Sequence, residues 1–456
     1  MIKVKNPATG KIIIEIPSAS PIDVKNGYKL AREAQREWVL CSYEARAASI
    51  RNFRNLLEQE QDQCSQILSE EMGKPISQAR NEIKVTLGRI DWFLSHTQPI
   101  LSDYVAYKEG NIEESISFDP LGVVGNISAW NYPYFVGTNV IIPALLTGNA
   151  VLYKPSEYAS LTGLKIDELL HQAGIPKGLF QTFLGAQEVG SYILKQKIDG
   201  LFFTGSYATG KKIASELASA FIPMGFELGG KDPVYVCNDV DVNRAADALV
   251  DGSFYNTGQS CCAVERIYVH DAIYHEFIER FAKQTQSLVI GEPGDKDTYI
   301  GAITRSQHMD YLDIQCQDAL EKGARYLVEG GQTEFVGNFY KPSVLVDVSH
   351  KMEIMKEESF GPIIGIQKVS ADQEAIDLMN DTNYGLTAGV YTENEERARS
   401  ILTNIDSGSV YWNCCDRVSV YLPWSGRKRS GIGSTLSELG IKAFLKPKAW
   451  HLSQSY

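Results

Sequence analysis

Two stretches decide how this chain is read: Asn256-Thr257-Gly258-Gln259-Ser260-Cys261-Cys262 and, upstream of it, Phe226-Glu227-Leu228-Gly229-Gly230-Lys231. The first offers a thiol on a glycine-containing turn, the second a carboxyl at the head of a Gly-Gly turn. A cysteine thiolate is a strong nucleophile, and a partly enclosed carboxyl serves as a general base. Either stretch alone is weak, because a buried cysteine is usually inert packing and Gly-Gly usually marks only a turn. Phe226 and Leu228 on either side of Glu227 argue against simple exposure.

Outward from these stretches the chain alternates short apolar runs with helical segments. Val123-Val124, Ala150 to Tyr153, Gln181 to Leu184 and Gly200 to Phe203 read as buried strands, each followed by a turn. Thr162 to Ala173 and Gly210 to Ala220 read as the helices between them, the pattern of a parallel sheet covered by helices. A second α/β block opens near Lys231. Its strands are expected at Arg266 to Val269 and Pro342 to Asp347, its helices at Tyr274 to Val289, Gln373 to Met379 and Glu393 to Ile401. Glu44 to Ile83 reads as an amphipathic helix pair broken at Gly73-Lys74-Pro75. Extended segments near Ile112 to Phe118 and Ala443 to Trp450 flank the large blocks.

Bulk properties exclude several classes. At 456 residues the chain is too long for one core. A net charge of −12 argues against nucleic-acid partners, which need a basic surface. The longest apolar run, Ile141 to Leu152, is interrupted by Pro143, Thr147, Gly148 and Asn149, so no membrane span and no membrane partner are expected. The start, Met1-Ile2-Lys3-Val4-Lys5, turns polar too soon for a signal peptide. Eight cysteines are too sparse for a disulfide scaffold. The pairs Cys261-Cys262 and Cys414-Cys415 lack the two-residue gap of a zinc site, so no metal is expected and a cytoplasmic setting fits.

Together the two opening stretches resemble the signature of the aldehyde dehydrogenase superfamily, a Glu-Leu-Gly-Gly-Lys segment paired with Gly-Gln-x-Cys. Trp130-Asn131-Tyr132-Pro133, Lys154-Pro155-Ser156-Glu157, Phe203-Thr204-Gly205-Ser206, Glu357-Glu358-Ser359-Phe360-Gly361-Pro362 and Ser430-Gly431-Ile432-Gly433 resemble further family segments in the family's order. The resemblance runs from Asn6-Pro7-Ala8-Thr9-Gly10 to the C-terminal strand. It implies an α/β fold of the aldehyde dehydrogenase type: a Rossmann-type cofactor domain (1–101 and 121–230), an α/β catalytic domain (231–423) and a small β bridging element (102–120 and 436–456). The bridging arms would join neighbouring copies into a homodimer or homotetramer.

By the same resemblance Cys261, not Cys262, is the nucleophile, Glu227 the base for the deacylating water and Asn131 the oxyanion donor. Lys154 and Glu157 would contact the adenosine ribose, Gly205 and Ser206 the pyrophosphate side, Glu358 the nicotinamide ribose and Phe360 the nicotinamide pocket, with Trp130 packing beside them. The cofactor would be NAD in preference to NADP, because a carboxylate at Glu157 repels a 2′-phosphate. A base at Glu227 favours hydrolysis to the free acid over acyl transfer to coenzyme A.

The implied partner is a small-molecule aldehyde, and texture and size lean toward the succinate-semialdehyde dehydrogenase-like branch. Some members of that branch grip the substrate carboxylate with an arginine eight positions after the oxyanion asparagine; here that residue is Asn139. Arg417 is the expected substitute, with Trp424 in the substrate funnel. Alternatively Tyr134, Phe254, Tyr255 and Trp424 wall a pocket for an apolar or quaternary-ammonium aldehyde of the betaine-aldehyde type. The same thiol and carboxyl would also serve an esterase, and a chain that kept only the fold would be a non-catalytic structural homologue. The chain departs from many relatives after Gly433, where Ser434-Thr435 replace Arg-Glu, so a proton relay through that glutamate does not carry over.

Overall fold

The computed structural model describes residues 1–453; the last three positions of the expected 436–456 arm lie outside the described residues. A six-stranded sheet runs in the order Gly431–Ile432, Met224–Glu227, Gly200–Thr204, Val123–Ile127, Ala150–Lys154, Phe180–Thr182. All its pairs are parallel except the first. Val123–Ile127 and Ala150–Lys154 are buried along their whole length, as parallel strands covered on both faces must be. The antiparallel first pair brings the end of the chain against Glu227. Gly431 permits it: at φ 149°, a Cβ there would fall 2.1 Å from the Phe226 carbonyl oxygen.

The second sheet has seven strands, in the order Arg325–Val328, Ser343–Val346, Ile363–Val369, Val264–His270, Asp232–Val236, Thr387–Tyr391, Ser409–Trp412. Alternation feeds a core on each face. Val234 and Val236 enter one cluster with Ile267 and Val269, while Tyr235 and Tyr268 enter the other. Three antiparallel strands, Leu445–Ser453, Ile112–Pro120 and Tyr104–Glu109, form a separate ribbon whose outer strand Tyr104–Glu109 is exposed throughout.

Several boundaries move. The expected helix pair over Glu44 to Ile83 is three helices, Tyr43–Gln59, Gln61–Met72 and Ile76–Ile100. Glu60 leaves helical geometry, and Gly73 ends the second helix in the left-handed region, where a Cβ would meet the Ala302 carbonyl at 2.7 Å. The strand expected to reach Leu184 stops at Thr182, because the Leu184 carbonyl turns to accept from Ala19 N–H. The helix expected to reach Val289 stops at Gln286, and the Val289 carbonyl accepts from Tyr299 and Ile300 N–H instead. Residues 436–445 of the expected arm begin with the short helix Ser437–Lys442, whose Ile441, with Leu436, Phe444 and Leu445, packs into the first core.

Candidate active site

The helix Val242–Phe254 carries the chain to the thiol and ends in a tight 3-10 turn, Tyr255–Gly258. Inside that turn Asn256 (φ 54°) and Thr257 (φ 57°) are left-handed without being glycine. Such a conformation is costly for a β-branched residue and persists only where surroundings enforce it. Here they do. The Gln78 side chain accepts from Asn256 N–H at 2.8 Å, Thr257 Oγ1 accepts from Gly301 N–H at 3.0 Å, and Gln259 Oε1 accepts from Thr304 N–H at 3.1 Å. Gly258 must be glycine, since a Cβ would lie 2.4 Å from the Gly361 carbonyl oxygen.

The turn delivers two neighbouring thiols to different places. Cys261 is half-buried and lines a cavity of about 550 Å³. Cys262 is buried, and its thiol donates to Asp416 Oδ1 at 3.0 Å. Its bond to Cys261 and its burial push the Cys262 thiol up, which keeps it protonated and unreactive.

Glu227 ends the strand Met224–Glu227 and faces the same cavity. Burial pushes its carboxyl up to about 8, offset in part by the Thr435 hydroxyl, which donates to Oε1 at 2.7 Å. The other oxygen, Oε2, is enclosed without a partner among the described residues. Asn131 lines the same cavity, its amide donating to the Gln259 carbonyl at 3.2 Å. Its backbone carbonyl accepts from Asn256 Nδ2 at 3.2 Å and from Lys74 Nζ at 2.8 Å. Lys74 is fully enclosed, ion-paired with Glu82 and 3.8 Å above the Tyr132 ring.

Every residue expected on the cofactor side lines the cavity that holds Cys261, Glu227 and Asn131: Lys154, Glu157, Gly205, Ser206, Trp130, Glu358 and Phe360. Ser206 caps the helix Tyr207–Leu217 through Thr209 N–H, so a helix N-terminus with Thr209 and Lys212 points at the cavity, a donor set suited to phosphate. Lys154 Nζ lies 3.6 Å from Glu157. Glu358 accepts from Gly230 N–H at 3.1 Å, and burial pushes it up to about 8. A side chain at Gly229 would strike that carboxyl at 2.4 Å, so the Gly-Gly turn is the space in which Glu358 rests. Trp130 meets Phe360 edge to face at 5.5 Å.

Sequence reasoning missed the groups that hold these walls. Glu265 accepts from Ser359 N–H at 2.7 Å, Phe360 N–H at 2.9 Å and Lys231 Nζ at 2.7 Å, pinning the segment that presents Glu358 and Phe360. Lys74, Glu82 and Asn256 do the same for Asn131. A polar residue in an apolar run was the available signal, as at Glu265 beside Val264.

The expected substrate residues stand apart. Arg417 is exposed and off the cavity wall, its backbone carbonyl accepting from the Tyr411 hydroxyl. Trp424 is buried in the first core and pairs backbone to backbone with Thr435. Tyr134 and Phe254 are likewise fully buried, in two different cores, so the four aromatic residues do not make one wall. Among the described residues no cluster of three or more His, Cys, Asp or Glu is placed to hold a metal ion, and no helix is long and apolar enough to cross a membrane.

The family model described as "Aldehyde dehydrogenase family" matches residues 1–450. A Pisum sativum protein named aminoaldehyde dehydrogenase 1, peroxisomal, is 33% identical over 97% of this chain and 90% of its own length. The Escherichia coli (strain K12) protein named succinate semialdehyde dehydrogenase, NAD(P)+, is 32% identical over 96% and 95%. The crystal structure of a Staphylococcus aureus betaine aldehyde dehydrogenase in complex with NAD+ superposes with a TM-score of 0.96, at 28% identity, covering 100% of this chain and 92% of that one. With a whole-length family match, near-full-length relatives and a single cavity joining a thiol, a carboxyl and an amide, this chain belongs to the aldehyde dehydrogenase family.

Proposed function

We propose that this oxidoreductase converts an aldehyde to the free carboxylic acid, with NAD preferred over NADP, using Cys261 as nucleophile, Asn131 as oxyanion donor and Glu227 as base. The observation that carries the reading is that these three residues and the seven cofactor-side residues all line one cavity. The Cys261 sulfur adds to the aldehyde carbon, and the oxygen, now an alkoxide, takes the Asn131 amide N–H, worth about 3–4 kcal/mol for a single donor. A bound nicotinamide supplies a hydride acceptor. Loss of hydride leaves a thioester on Cys261. Glu227 then takes a proton from water, the hydroxide adds to the acyl carbon, and the thiolate departs.

The strained turn at Asn256-Thr257 and the unpartnered Glu227 oxygen both cost stability, which supports a working site over a purely structural role. We assign residues 1–101 and 121–230 to the cofactor domain, 231–423 to the catalytic domain and 102–120 with 436–456 to bridging arms that pair copies of the chain. All eight cysteines are free thiols, which suits a reducing compartment such as the cytoplasm. The test is a steady-state panel of aldehydes with both cofactors. Acid and reduced cofactor should form in equal amounts, and Cys261→Ala should form neither.

A further inference from the structure

Gly73-Lys74-Pro75 separates the helices Gln61–Met72 and Ile76–Ile100, yet the lysine at this break does not face water. Burial pushes its ammonium down, and Glu82 on the second helix opposes the fall. A buried ammonium is costly unless its N–H groups are met, so their partners show what the burial serves. One partner is Glu82 Oε2 and another is the Asn131 carbonyl at 2.8 Å, while the Tyr132 ring centre lies 3.8 Å away. Glu82 closes the grip, its Oε1 accepting from Tyr134 N–H at 2.9 Å. That N–H lies in the first turn of the helix Pro133–Leu146, whose N-cap Tyr132 supplies no capping side chain. A carboxylate is stabilised at such a helix start, where N–H groups lack partners. One buried ion pair thus holds the carbonyl, the ring and the N–H of Asn131, Tyr132 and Tyr134.

The same stretch of chain, residues 72–78, also holds the thiol side. Thr304 Oγ1 donates to the Met72 carbonyl at 2.6 Å, and Ala302 N–H to the Gly73 carbonyl at 3.1 Å. Gly301 permits this approach, since a Cβ there would fall 2.1 Å from the Gly73 carbonyl oxygen. Gln78 donates to the Tyr299 carbonyl at 2.9 Å and accepts from Asn256 N–H at 2.8 Å. Thr304 N–H in turn holds Gln259, two residues before Cys261. The two sides meet at one atom: Asn256 Nδ2 donates, at 3.2 Å, to the carbonyl oxygen that Lys74 holds.

We propose that residues 72–78 set the spacing of Asn131 against Cys261 across the two blocks, with Lys74 as the positioning residue for the oxyanion donor. The proposal rests on Cys261 as nucleophile and Asn131 as donor. Neither Lys74 nor Glu82 lines the cavity, so the ion pair acts through the Asn131 segment and not on the substrate. An alkoxide formed at Cys261 meets the amide only while the two sides keep their spacing, and a displacement of about 1 Å costs about a hundredfold in rate.

Lys74→Met alone would strand the buried Glu82 charge, so the test variant is Lys74→Met/Glu82→Gln, whose glutamine still offers Tyr134 N–H an acceptor. It is compared with Asn131→Ala and with the variant carrying all three changes, folding being checked by circular dichroism. Single-turnover formation of reduced cofactor, from the best aldehyde of the panel, should fall about a hundredfold in Lys74→Met/Glu82→Gln. The triple variant should be no slower than Asn131→Ala, because a positioning group acts only through what it positions. Cofactor affinity and the alkylation of Cys261 by iodoacetamide, which forms no alkoxide, should keep their wild-type values in Lys74→Met/Glu82→Gln. Gln78→Leu, which cuts the tie to Asn256 and leaves the ion pair in place, should slow the same single turnover. An unchanged rate in either variant, losses that multiply in the triple variant, or alkylation that slows in step with turnover would overturn the proposal. An undiminished rate in Asn131→Ala would overturn the reading of Asn131 itself, and the proposal with it.

Discussion

Among the described residues the Thr435 hydroxyl is the sole partner of the Glu227 carboxyl, donating to Oε1 at 2.7 Å from a segment 208 positions further along the chain. The bond favours the ionised carboxyl and so opposes the burial that holds Glu227 at about 8. Thr435→Val should therefore move the alkaline-rising limb of deacylation up by about one pH unit, the equivalent of a hydrogen bond to a charged group of about 1.4 kcal/mol. Thr435→Ser should restore it. A pH profile of hydrolysis of a preformed acyl-enzyme reads this directly; an unmoved limb in the valine variant would assign Thr435 to packing alone.

Cys261→Ala should lower aldehyde oxidation by roughly 10⁵-fold, the scale of a lost nucleophile. Cys262→Ala should retain most activity, since that thiol is buried and bonded to Asp416. Mass spectrometry of trapped acyl-enzyme checks the assignment, and acylation found on Cys262 alone would reverse it.

Glu227→Gln should leave a burst of reduced cofactor followed by slow turnover, because the base acts on the water and not on the hydride. The same variant carries a thermodynamic signature. A carboxyl raised from about 4.5 to about 8 in the fold lends stability at low pH that is lost as pH rises through 8. The wild-type Tm should thus fall more between pH 6 and pH 9 than that of Glu227→Gln. Parallel curves would mean that Glu227 ionises as freely in the fold as outside it.

NAD should exceed NADP in kcat/KM by tenfold or more, about 1.4 kcal/mol of like-charge repulsion between Glu157 and a 2′-phosphate. The Lys154 ammonium, 3.6 Å from Glu157, tempers this without cancelling it. Glu157→Ser should narrow the ratio, and equal use of both cofactors before and after substitution would remove Glu157 from cofactor choice.

The ribbon edges should pair between copies. Tyr104, Val105 and Tyr107 on one outer strand and Trp450 and Leu452 on the other are exposed, leaving unpaired backbone beside apolar side chains. Sedimentation at micromolar concentration should give dimers or tetramers, and Val105→Pro or Leu452→Pro should shift the population downward. A fully active monomer in the unsubstituted protein would contradict this.

The fold was legible where the pattern is local. Buried apolar runs such as Ala150 to Tyr153 announce parallel strands, and Gly73-Lys74-Pro75 announces a break. The candidate site was legible where a short segment carries both a turn and a polar or thiol side chain, as at Cys261, Glu227 and Asn131, which line one cavity. What escaped depends on distant pairing. Lys74 reaching Asn131, Glu265 pinning Phe360, and Arg89 reaching Asn139 each join separate elements, and no periodicity encodes which helix will face which loop. Arg417 stands exposed and off the wall of the cavity that holds Cys261. Its neighbourhood in sequence suggested the substrate, but its side chain turned to solvent.

The antiparallel strand Gly431–Ile432 that closes the first sheet has a consequence for the newly made protein. Chains emerge N-terminus first and domains fold as they appear. Cys261 and Glu227 are both synthesised long before Gly431 and Thr435 exist to seat the carboxyl. An unfinished chain therefore carries the Cys261 thiol without a seated Glu227 carboxyl, and on the mechanism proposed above hydrolytic turnover would begin only once Gly431 to Thr435 have emerged. Premature termination anywhere before Thr435 should yield a protein that acylates poorly or stalls as a thioester, never one that runs unchecked.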